Sequence, residues 1–401
     1  MTEAGAQRRP RNRKQLIVTA AAKQFEKRGF HDTAIADIAA DVGITGSALY
    51  RHFRGKNELL VATIEGEMDQ VHLAYQNSAG ELRTLLENAA KATLRSDRAS
   101  ALWERNQAFV EEPHRAALAQ RYLLAIEPLR EAIGRARSDL RPDEVELLTW
   151  TTHAVFNSAR AFEWAKLDRE RGRALMADAA WAVASLPGPL PLGLVRARQA
   201  ERRGRILPAS RREAALATAV VLFAERGYQA VGMDEIGAAA GVSGPTLYHH
   251  FPGKSAILVT VIMRCLDSLY FDLSGVLARS DDPAEVLELV LASFVRVNVD
   301  QGDALGALTT EIVNVPELER VPIRRMQHDY VGEWVALLTR VRPELTAVEA
   351  DALVRSTQSV MNTMRVHVPK GQQDPQALLR LLGRAILGLT PPPPAELADS
   401  A

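Results

Sequence analysis

A long internal repeat is the feature of this 401-residue chain that most limits its fold. The stretch RKQLIVTAAAKQFEKRGFHDTAIADIAADVGITGSALYRHFRGKNELLVATI, which begins at Arg13, aligns without a gap with RREAALATAVVLFAERGYQAVGMDEIGAAAGVSGPTLYHHFPGKSAILVTVI, which begins at Arg211. Roughly a third of the aligned positions are identical, and the spacing between partners is always 198 residues. Repeats of this length are sought first because they set the architecture of the whole chain.

The repeat continues more weakly beyond these blocks. The stretch DLRPDEVELLTWTTHAVFNSAR from Asp139 resembles ELTAVEADALVRSTQSVMNTMR from Glu344. A unit of about 200 residues was therefore duplicated whole, and we call the two units the first and the second copy. Apolar residues fall at helical spacing, and segments rich in Ala, Leu, Glu and Arg are typical of helices. The pattern predicts an all-α fold.

Composition and charge exclude several classes of protein. The chain is 47% hydrophobic and 24% charged, as in soluble globular proteins, and its apolar stretches are too short for a transmembrane helix. Its one cysteine, Cys265, excludes a disulfide framework and a multi-cysteine zinc site, and it fits a cytoplasmic location. Net charge is zero, but two basic runs lie near residues 8–14 and 196–212. They indicate either two phosphate-contacting points or solvated linker charges.

Glycines and capping residues predict short helices at the start of each copy. In the first copy these markers predict helix one over Arg13–Arg28, with a stop at Gly29, and helix two after a cap at Thr33. A turn at Gly43 and a cap at Thr45 then precede helix three over Gly46–Phe53, and helix four starts at Lys56. Two short helices joined by a glycine turn form a helix-turn-helix, whose second helix enters the major groove of DNA.

These residues carry a resemblance to a known family. The stretches GFHDTAIADIAADVGITGSALYRHFRGKNELL and GYQAVGMDEIGAAAGVSGPTLYHHFPGKSAIL both resemble the DNA-binding domain of TetR-family repressors. The resemblance implies a transcriptional regulator in which each DNA-binding domain is followed by a helical ligand-binding and dimerisation bundle. It also implies a small-molecule effector, with repression as the default mode. No cofactor, metal or membrane partner is expected.

The resemblance divides the chain into seven segments. They are a basic arm (1–12), the first DNA-binding domain (13–66), the first bundle (67–186), a linker (187–209), the second DNA-binding domain (210–264), the second bundle (265–390) and a tail (391–401). Ordinary family members dimerise to read two equal half-sites. Here the linker favours an intramolecular pseudo-dimer because it raises the effective concentration of one copy near the other. A homodimer with four DNA-binding domains is the alternative.

Candidate DNA-contacting residues follow from the helix-turn-helix. In the first copy they are Thr33, Thr45, Ser47, Ala48, Tyr50, Arg51, His52 and Lys56, and in the second copy they are Ser243, Pro245, Thr246, Tyr248, His249, His250 and Lys254. Leu49 and Phe53 lie four residues apart and are expected in the core. The family pattern places Tyr50 and His52 on phosphates, although packing inside the domain is the alternative. Arg51 suits the O6 and N7 atoms of guanine.

The second copy differs at the positions expected to read bases. Ser47 and Ala48 become Pro245 and Thr246, and Arg51 becomes His249. These differences predict two readers with unlike preferences and therefore an asymmetric operator. The alternative is a helical interaction protein whose DNA-binding domains are degenerate. An enzyme is disfavoured because the GxxxxGK[ST], HExxH and GxSxG motifs are all absent from the sequence.

Candidate ligand-lining residues are aromatic or polar side chains of the two bundles. They are Trp103, Phe109, Tyr122, Trp150, His153, Asn157 and Phe162 in the first copy, and Trp334, Gln358, Met361 and Asn362 in the second. Bundles place ligands between facing helices, and apolar linings suit a lipid-like effector. The alternative is that these side chains only fill the core, as aromatics at helical spacing usually do.

Overall fold

The computed structural model describes residues 13–76, 81–95, 102–106, 110–112, 114–162, 164–192, 208–367 and 374–389. Within these ranges the regular structure is helical and includes no strand, which confirms the all-α prediction. The first copy contains α1 (Arg13–Asp32), α2 (Ile35–Asp41), α3 (Gly46–Tyr50), α4 (Lys56–Gln76), α5 (Leu82–Arg95), α6 (Leu102–Asn106), α7 (His114–Ala136), α8 (Pro142–Asn157) and α9 (Arg169–Ala184). The second copy contains α10 (Arg211–Arg226), α11 (Met233–Ala240), α12 (Gly244–His250), α13 (Lys254–Leu277), α14 (Pro283–Asp300), α15 (Gly302–Thr310), α16 (Glu317–Val341), α17 (Ala347–His367) and α18 (Pro375–Leu387).

Glycines with positive φ end the helices where the sequence predicts. The helical run of α1 is broken at Gly29, which has φ 81°. At the equivalent position Gly227, with φ 76°, follows the last residue of α10. The turns after α2 and α11 contain Gly43 and Gly241, both left-handed with φ of 65° and 66°. Because L side chains rarely adopt such angles, glycine fixes these ends in both copies.

The helices divide between two compact folding units, whose boundaries differ from those of the two repeat copies. The first unit contains α1–α4, α6 and the first half of α7. Its core is one cluster of buried apolar side chains, among them Ile17, Phe25, Leu49, Phe53, Leu59, Trp103, Val110 and Leu118. We call α1–α3 the first reading head, and α4 and α6 both pack on its helix α1.

The second unit contains α5, the second half of α7, α8, α9 and the whole second copy. Its reading head is α10–α12, and α13 and α15 both pack on α10. The core of this second reading head repeats that of the first, because Phe223, Leu247 and Phe251 are buried at the positions of Phe25, Leu49 and Phe53. The remaining helices of the second copy, α14 and α16–α18, form a bundle with α13.

The two copies meet inside this second unit. Helix α8 of the first copy packs on α17 of the second, and α9 packs on α18. Nearly every residue of α8 from Glu144 to Asn157 is buried. A helix that is buried all round needs neighbours on every side, and here α9 covers one side while α17 covers another. The chain is therefore an intramolecular pseudo-dimer, as predicted.

Two equivalent glutamates mark how the copies differ at this contact. Glu144 begins α8 and accepts hydrogen bonds from the backbone N–H groups of Arg141 (2.8 Å) and Leu190 (2.6 Å). Glu349 begins α17 and accepts from the backbone N–H of Thr346 (2.7 Å). In place of a second backbone donor, Glu349 accepts from Arg171 of α9, so this ion pair crosses from one copy to the other.

The end of the first bundle and the first residues of the predicted linker are packed rather than free. Leu186 and Leu190 are both buried, and Leu190 is tied to Glu144 through its N–H group. The structure describes the chain again from residue 208. The basic arm, the basic run at 196–205 and the tail at 391–401 lie outside the described residues. Within the described residues no helix is long and apolar enough to cross a membrane.

Candidate nucleic-acid interface

Helix α3 is held at its start by the predicted cap. The Thr45 hydroxyl accepts a hydrogen bond from the Ala48 N–H (3.2 Å) and lies 2.9 Å from the Ser47 hydroxyl. Such a cap satisfies one of the backbone donors that a helix N-terminus leaves free. The cap at Thr45 is confirmed, but α3 ends at Tyr50 and not at Phe53 as predicted. The shorter helix leaves Arg51 and His52 in the turn that follows it.

One side of α3 is buried and the other is exposed. Leu49 and Phe53 have 0% and 1% of their surface exposed, which confirms that they anchor the helix in the core. Tyr50 is 55% exposed, and Ser47, Arg51 and His52 are exposed with it. A tyrosine that served only to pack the domain would be largely buried. The exposed side therefore presents hydroxyl, guanidinium and imidazole groups that can meet phosphates and base edges.

Helix α12 presents a different surface on the same scaffold. Leu247 and Phe251 are buried, whereas Tyr248 is 53% exposed, as is its equivalent in the first copy. Pro245 is accommodated in the first turn of the helix, where its missing N–H has no helical acceptor. Thr246 lies 2.8 Å from the Ser243 hydroxyl, and the rings of His249 and His250 stand 5.6 Å apart.

Thr33 does not play the role predicted for it. The residue that begins α2 as its N-cap is Ala34, which makes no side-chain cap. Thr33 is 1% exposed, and its hydroxyl donates to the carbonyl of Gly29 (2.7 Å) at the end of α1. No phosphate reaches a hydroxyl that is buried in this way. The equivalent Val231 is also 1% exposed, so the second copy keeps the packing and loses only a hydrogen bond.

Lys56 and Lys254 begin their helices as predicted but are directed at the protein. The Lys254 ammonium donates to the carbonyls of Tyr228 and Val231, each at 2.7 Å, and stands 4.2 Å from the centre of the Tyr228 ring. Lys56 stands 4.7 Å from the ring of Phe30. Burial lowers the pKa of both lysines. The hydrogen bonds of Lys254 therefore tie α13 to the loop after α10.

Two structural pairs in the reading heads were missed by sequence reasoning. One is the contact between a lysine and the aromatic residue that follows the stop glycine. It joins Lys56 to Phe30 in the first copy and recurs, 198 residues later, in the second. The other is an ion pair that braces the first helix against the second. It joins Arg28 to Asp37 (2.6 Å) in the first copy and Arg226 to Glu235 in the second. Identical spacing of opposite charges in both copies is the signal that identifies the second pair.

The ligand candidates of the first copy lie in three places. Trp103 lies in the core of the first unit and Tyr122 packs against it, as the alternative of core packing expects. Trp150 stacks on His367 of α17 with ring centres 4.4 Å apart, so it lies at the contact between the copies. His153, Asn157 and Phe162 are buried. Phe109 lies outside the described residues.

The ligand candidates of the second copy come together. Met361 and Trp334 are fully buried, in α17 and α16, and the Asn362 side-chain carbonyl accepts a hydrogen bond from Asn298 of α14. Gln358 lies one helical turn before Asn362. Trp334 and Met361 therefore lie in the interior of the second bundle, whereas Gln358 and Asn362 are half-buried on α17, which packs on both α14 and α16.

Comparison with known proteins identifies the family. The family model for bacterial regulatory proteins of the tetR family matches twice, over residues 17–63 and 215–261, which span most of each reading head and the start of the helix that follows it. The HTH-type transcriptional repressor KstR2 of Mycolicibacterium smegmatis is 30% identical over 172 residues, which cover 41% of this chain and 82% of KstR2. The chain belongs to the TetR family.

Other TetR-family proteins match shorter parts or are more distant. The HTH-type transcriptional activator FasR of Mycolicibacterium smegmatis is 39% identical over 94 residues, which are 23% of this chain and 43% of FasR. A TetR-family regulator from Bordetella parapertussis has 22% identity, covers 46% of this chain and 97% of that chain, and superposes with a TM-score of 0.43. KstR2 of Mycobacterium tuberculosis has 23% identity, covers 45% and 95% of the respective chains, and has a TM-score of 0.40.

Membership of the TetR family establishes the general function. The relatives are transcriptional regulators that bind DNA through a helix-turn-helix, and they are not enzymes. This TetR-family chain is likewise a DNA-binding regulator without enzymatic activity, and it carries two such units in one polypeptide.

Proposed function

We propose that this chain is a repressor whose two reading heads bind one asymmetric operator as a single chain, and that a small apolar effector releases it. The observation that carries the proposal is the difference between the exposed surfaces of α3 and α12. Arg51 of the first head offers a bidentate donor for guanine, whereas His249 in the second offers a smaller imidazole. Two surfaces that differ at the reading positions favour different bases.

The mode of regulation is inferred from a relative that the chain covers over most of its length. KstR2 of Mycolicibacterium smegmatis is named a repressor and is covered over 82% of its length. FasR, which is named an activator, is covered over only 43% of its length, so it says less about the whole protein. An effector that binds the bundle more tightly in a shape unsuited to DNA would release the operator by linkage.

Selection of binding sites from random DNA tests the proposal. The expected product is a site with two unlike half-sites whose centres are about 34–36 Å apart, one turn of the double helix. The matched control transfers the first surface to the second head in the triple variant Pro245→Ser, Thr246→Ala, His249→Arg. We expect this variant to select a palindrome. A palindromic site for the unchanged chain, or no selected site at all, contradicts the proposal.

A further inference from the structure

The second bundle contains three amide side chains on facing helices, one of them fully buried and two half-buried. Asn298 of α14 is fully buried, and its Nδ2 donates to Oδ1 of Asn362 on α17. Gln358 precedes Asn362 by four residues on the same helix, so both side chains lie on one face of α17. Asn298 and Asn362 therefore join α14 to α17, which pack against each other, and Gln358 lies one turn from this pair on the same face of α17.

Two atoms of this group have no hydrogen-bond partner. They are Oδ1 of Asn298, an acceptor, and Nε2 of Gln358, a donor, and both are shielded from solvent. A buried polar atom without a partner costs stability, and an apolar side chain of similar shape would avoid that cost. An open acceptor on Asn298 and an open donor one helical turn from its partner Asn362 match a ligand group that both donates and accepts, such as a hydroxyl.

The surroundings of the amides are aromatic and apolar. The rings of Phe294 and Trp334 meet edge to face with centres 5.7 Å apart, and the ring of Tyr330 lies 6.4 Å from that of Trp334. Met361 is fully buried beside Asn362. The arginines that lie next to these amides in the sequence are paired, Arg296 with Asp272 and Arg365 with Asp303. These surroundings favour an uncharged ring system over an ionised ligand.

The first copy differs at the equivalent positions. The spacing of 205 residues that relates Glu144 to Glu349 places Thr93, His153 and Asn157 where the second copy has Asn298, Gln358 and Asn362. None of these three residues of the first copy is without a partner. Leu129 and Ala89 replace Trp334 and Phe294, so the aromatic wall is also absent at these positions.

We propose that Asn298 and Gln358 form the polar end of an effector site in the second bundle, and that this site takes an uncharged aromatic or alicyclic molecule with a hydroxyl group. The inference rests on the proposed function, because it names the effector class for a regulator that responds to one. The ligand hydroxyl donates to Oδ1 of Asn298 and accepts from Nε2 of Gln358. The ring system lies against Trp334, Tyr330 and Met361.

Entry of the ligand requires side chains to move, because both amide atoms are closed off from solvent. Met361 is suited to this movement, since its unbranched thioether adapts to different packings. Helix α17, which carries both Met361 and Gln358, also packs on α8 of the first copy. A ligand that favours a shifted α17 therefore changes the contact between the copies.

Binding of 2-naphthol to the full chain tests the site, with naphthalene as the probe that lacks the hydroxyl. We expect one 2-naphthol per chain by isothermal titration calorimetry, and at least tenfold weaker binding of naphthalene. Gln358→Met removes the donor and is expected to raise the Kd of 2-naphthol at least tenfold. Asn298→Val removes the acceptor and is expected to raise the Kd in the same way. Thr93→Val, the equivalent change in the first copy, is expected to leave the Kd within twofold.

Three results would overturn the inference: no saturable binding of 2-naphthol, equal affinity for naphthalene, or an equal loss in Thr93→Val. Thermal unfolding of Gln358→Met and Asn298→Val separates a lost site from a lost fold, and at least the glutamine variant is expected to unfold at an unchanged or higher temperature. Operator binding is measured separately on the same samples. If 2-naphthol binds as expected but no operator is selected, the proposed function fails and the site remains.

Discussion

Tyr50 and Tyr248 each place a phenol hydroxyl on the exposed side of a recognition helix. Both rings are more than half exposed, although the residues beside them, Leu49 and Leu247, are fully buried. A hydroxyl held at this position on both heads suits a phosphate oxygen, which is the same on every DNA sequence. The contact is expected to add affinity without adding specificity.

Replacement of each tyrosine by phenylalanine tests this role. Tyr50→Phe and Tyr248→Phe are each expected to lose roughly 0.5–1.5 kcal/mol of DNA affinity, the usual contribution of one hydrogen bond. The loss should be the same on operator and on scrambled duplex, measured by fluorescence anisotropy at fixed salt. Arg51→Ala is the control, since it should lose about 1–3 kcal/mol of discrimination at one base position. A tyrosine variant that changes base preference would contradict the assignment.

His153 is a buried histidine at the contact between the copies. Burial, together with the charge of His367, lowers the pKa of His153 to about 3, from an ordinary value of 6.5. The folded chain therefore keeps His153 neutral over a range of pH in which the unfolded chain protonates it. Above pH 6.5 His153 is neutral in both states and does not lower the free energy of unfolding. As the pH falls from 6.5 towards 3, protonation of His153 in the unfolded chain lowers the free energy of unfolding.

The size of this pH effect is measurable. Between pH 8 and pH 5, His153 alone is expected to remove about 2 kcal/mol from the free energy of unfolding. Urea unfolding at the two pH values checks it. His153→Gln, which introduces the residue found at the equivalent Gln358, should reduce the difference between the two pH values by that amount. Equal differences in the variant and the unchanged chain would show that His153 does not set the pH dependence.

At the scale of the helices, glycines made four helix ends of the two reading heads predictable. Only glycine adopts the positive φ of residues 29, 43, 227 and 241 without strain, so the sequence marks those ends directly. Thr33 shows why other boundaries were missed. A threonine hydroxyl between two helices can cap the second or bond back to the first, and the choice depends on burial that local sequence does not show. The lysine contacts were missed for the same reason, because they join residues far apart in the chain.

A glycine substitution tests the account of these helix ends. Gly227→Ala is expected to lose about 1–2 kcal/mol of unfolding free energy, since alanine is strained at φ 76°. Gly332 is the matched control, because it is an exposed glycine inside α16 with open space beside it. Gly332→Ala should gain up to about 1 kcal/mol from helix propensity. Urea unfolding measures both, and a neutral Gly227→Ala would contradict the argument.

At the scale of the whole molecule, the repeat predicted both the tandem architecture and the pairing of the copies. It did not predict how the pairing became specific, because equivalent positions took on different partners. Glu349 pairs with Arg171, whereas Glu144 binds the backbone of Leu190. Trp150 stacks on His367, while their equivalents are Arg355 and Phe162. Such contacts form only between a first copy and a second copy. They therefore favour this pairing over the pairing of two identical copies.

The central claim is that one chain supplies both reading heads for one operator. The most direct measurement is the mass of the complex with its selected operator duplex, by native mass spectrometry at stated salt. We predict one chain per duplex, with no change when the protein concentration is raised tenfold. Two chains on each duplex would contradict the claim, because the heads would then pair between chains.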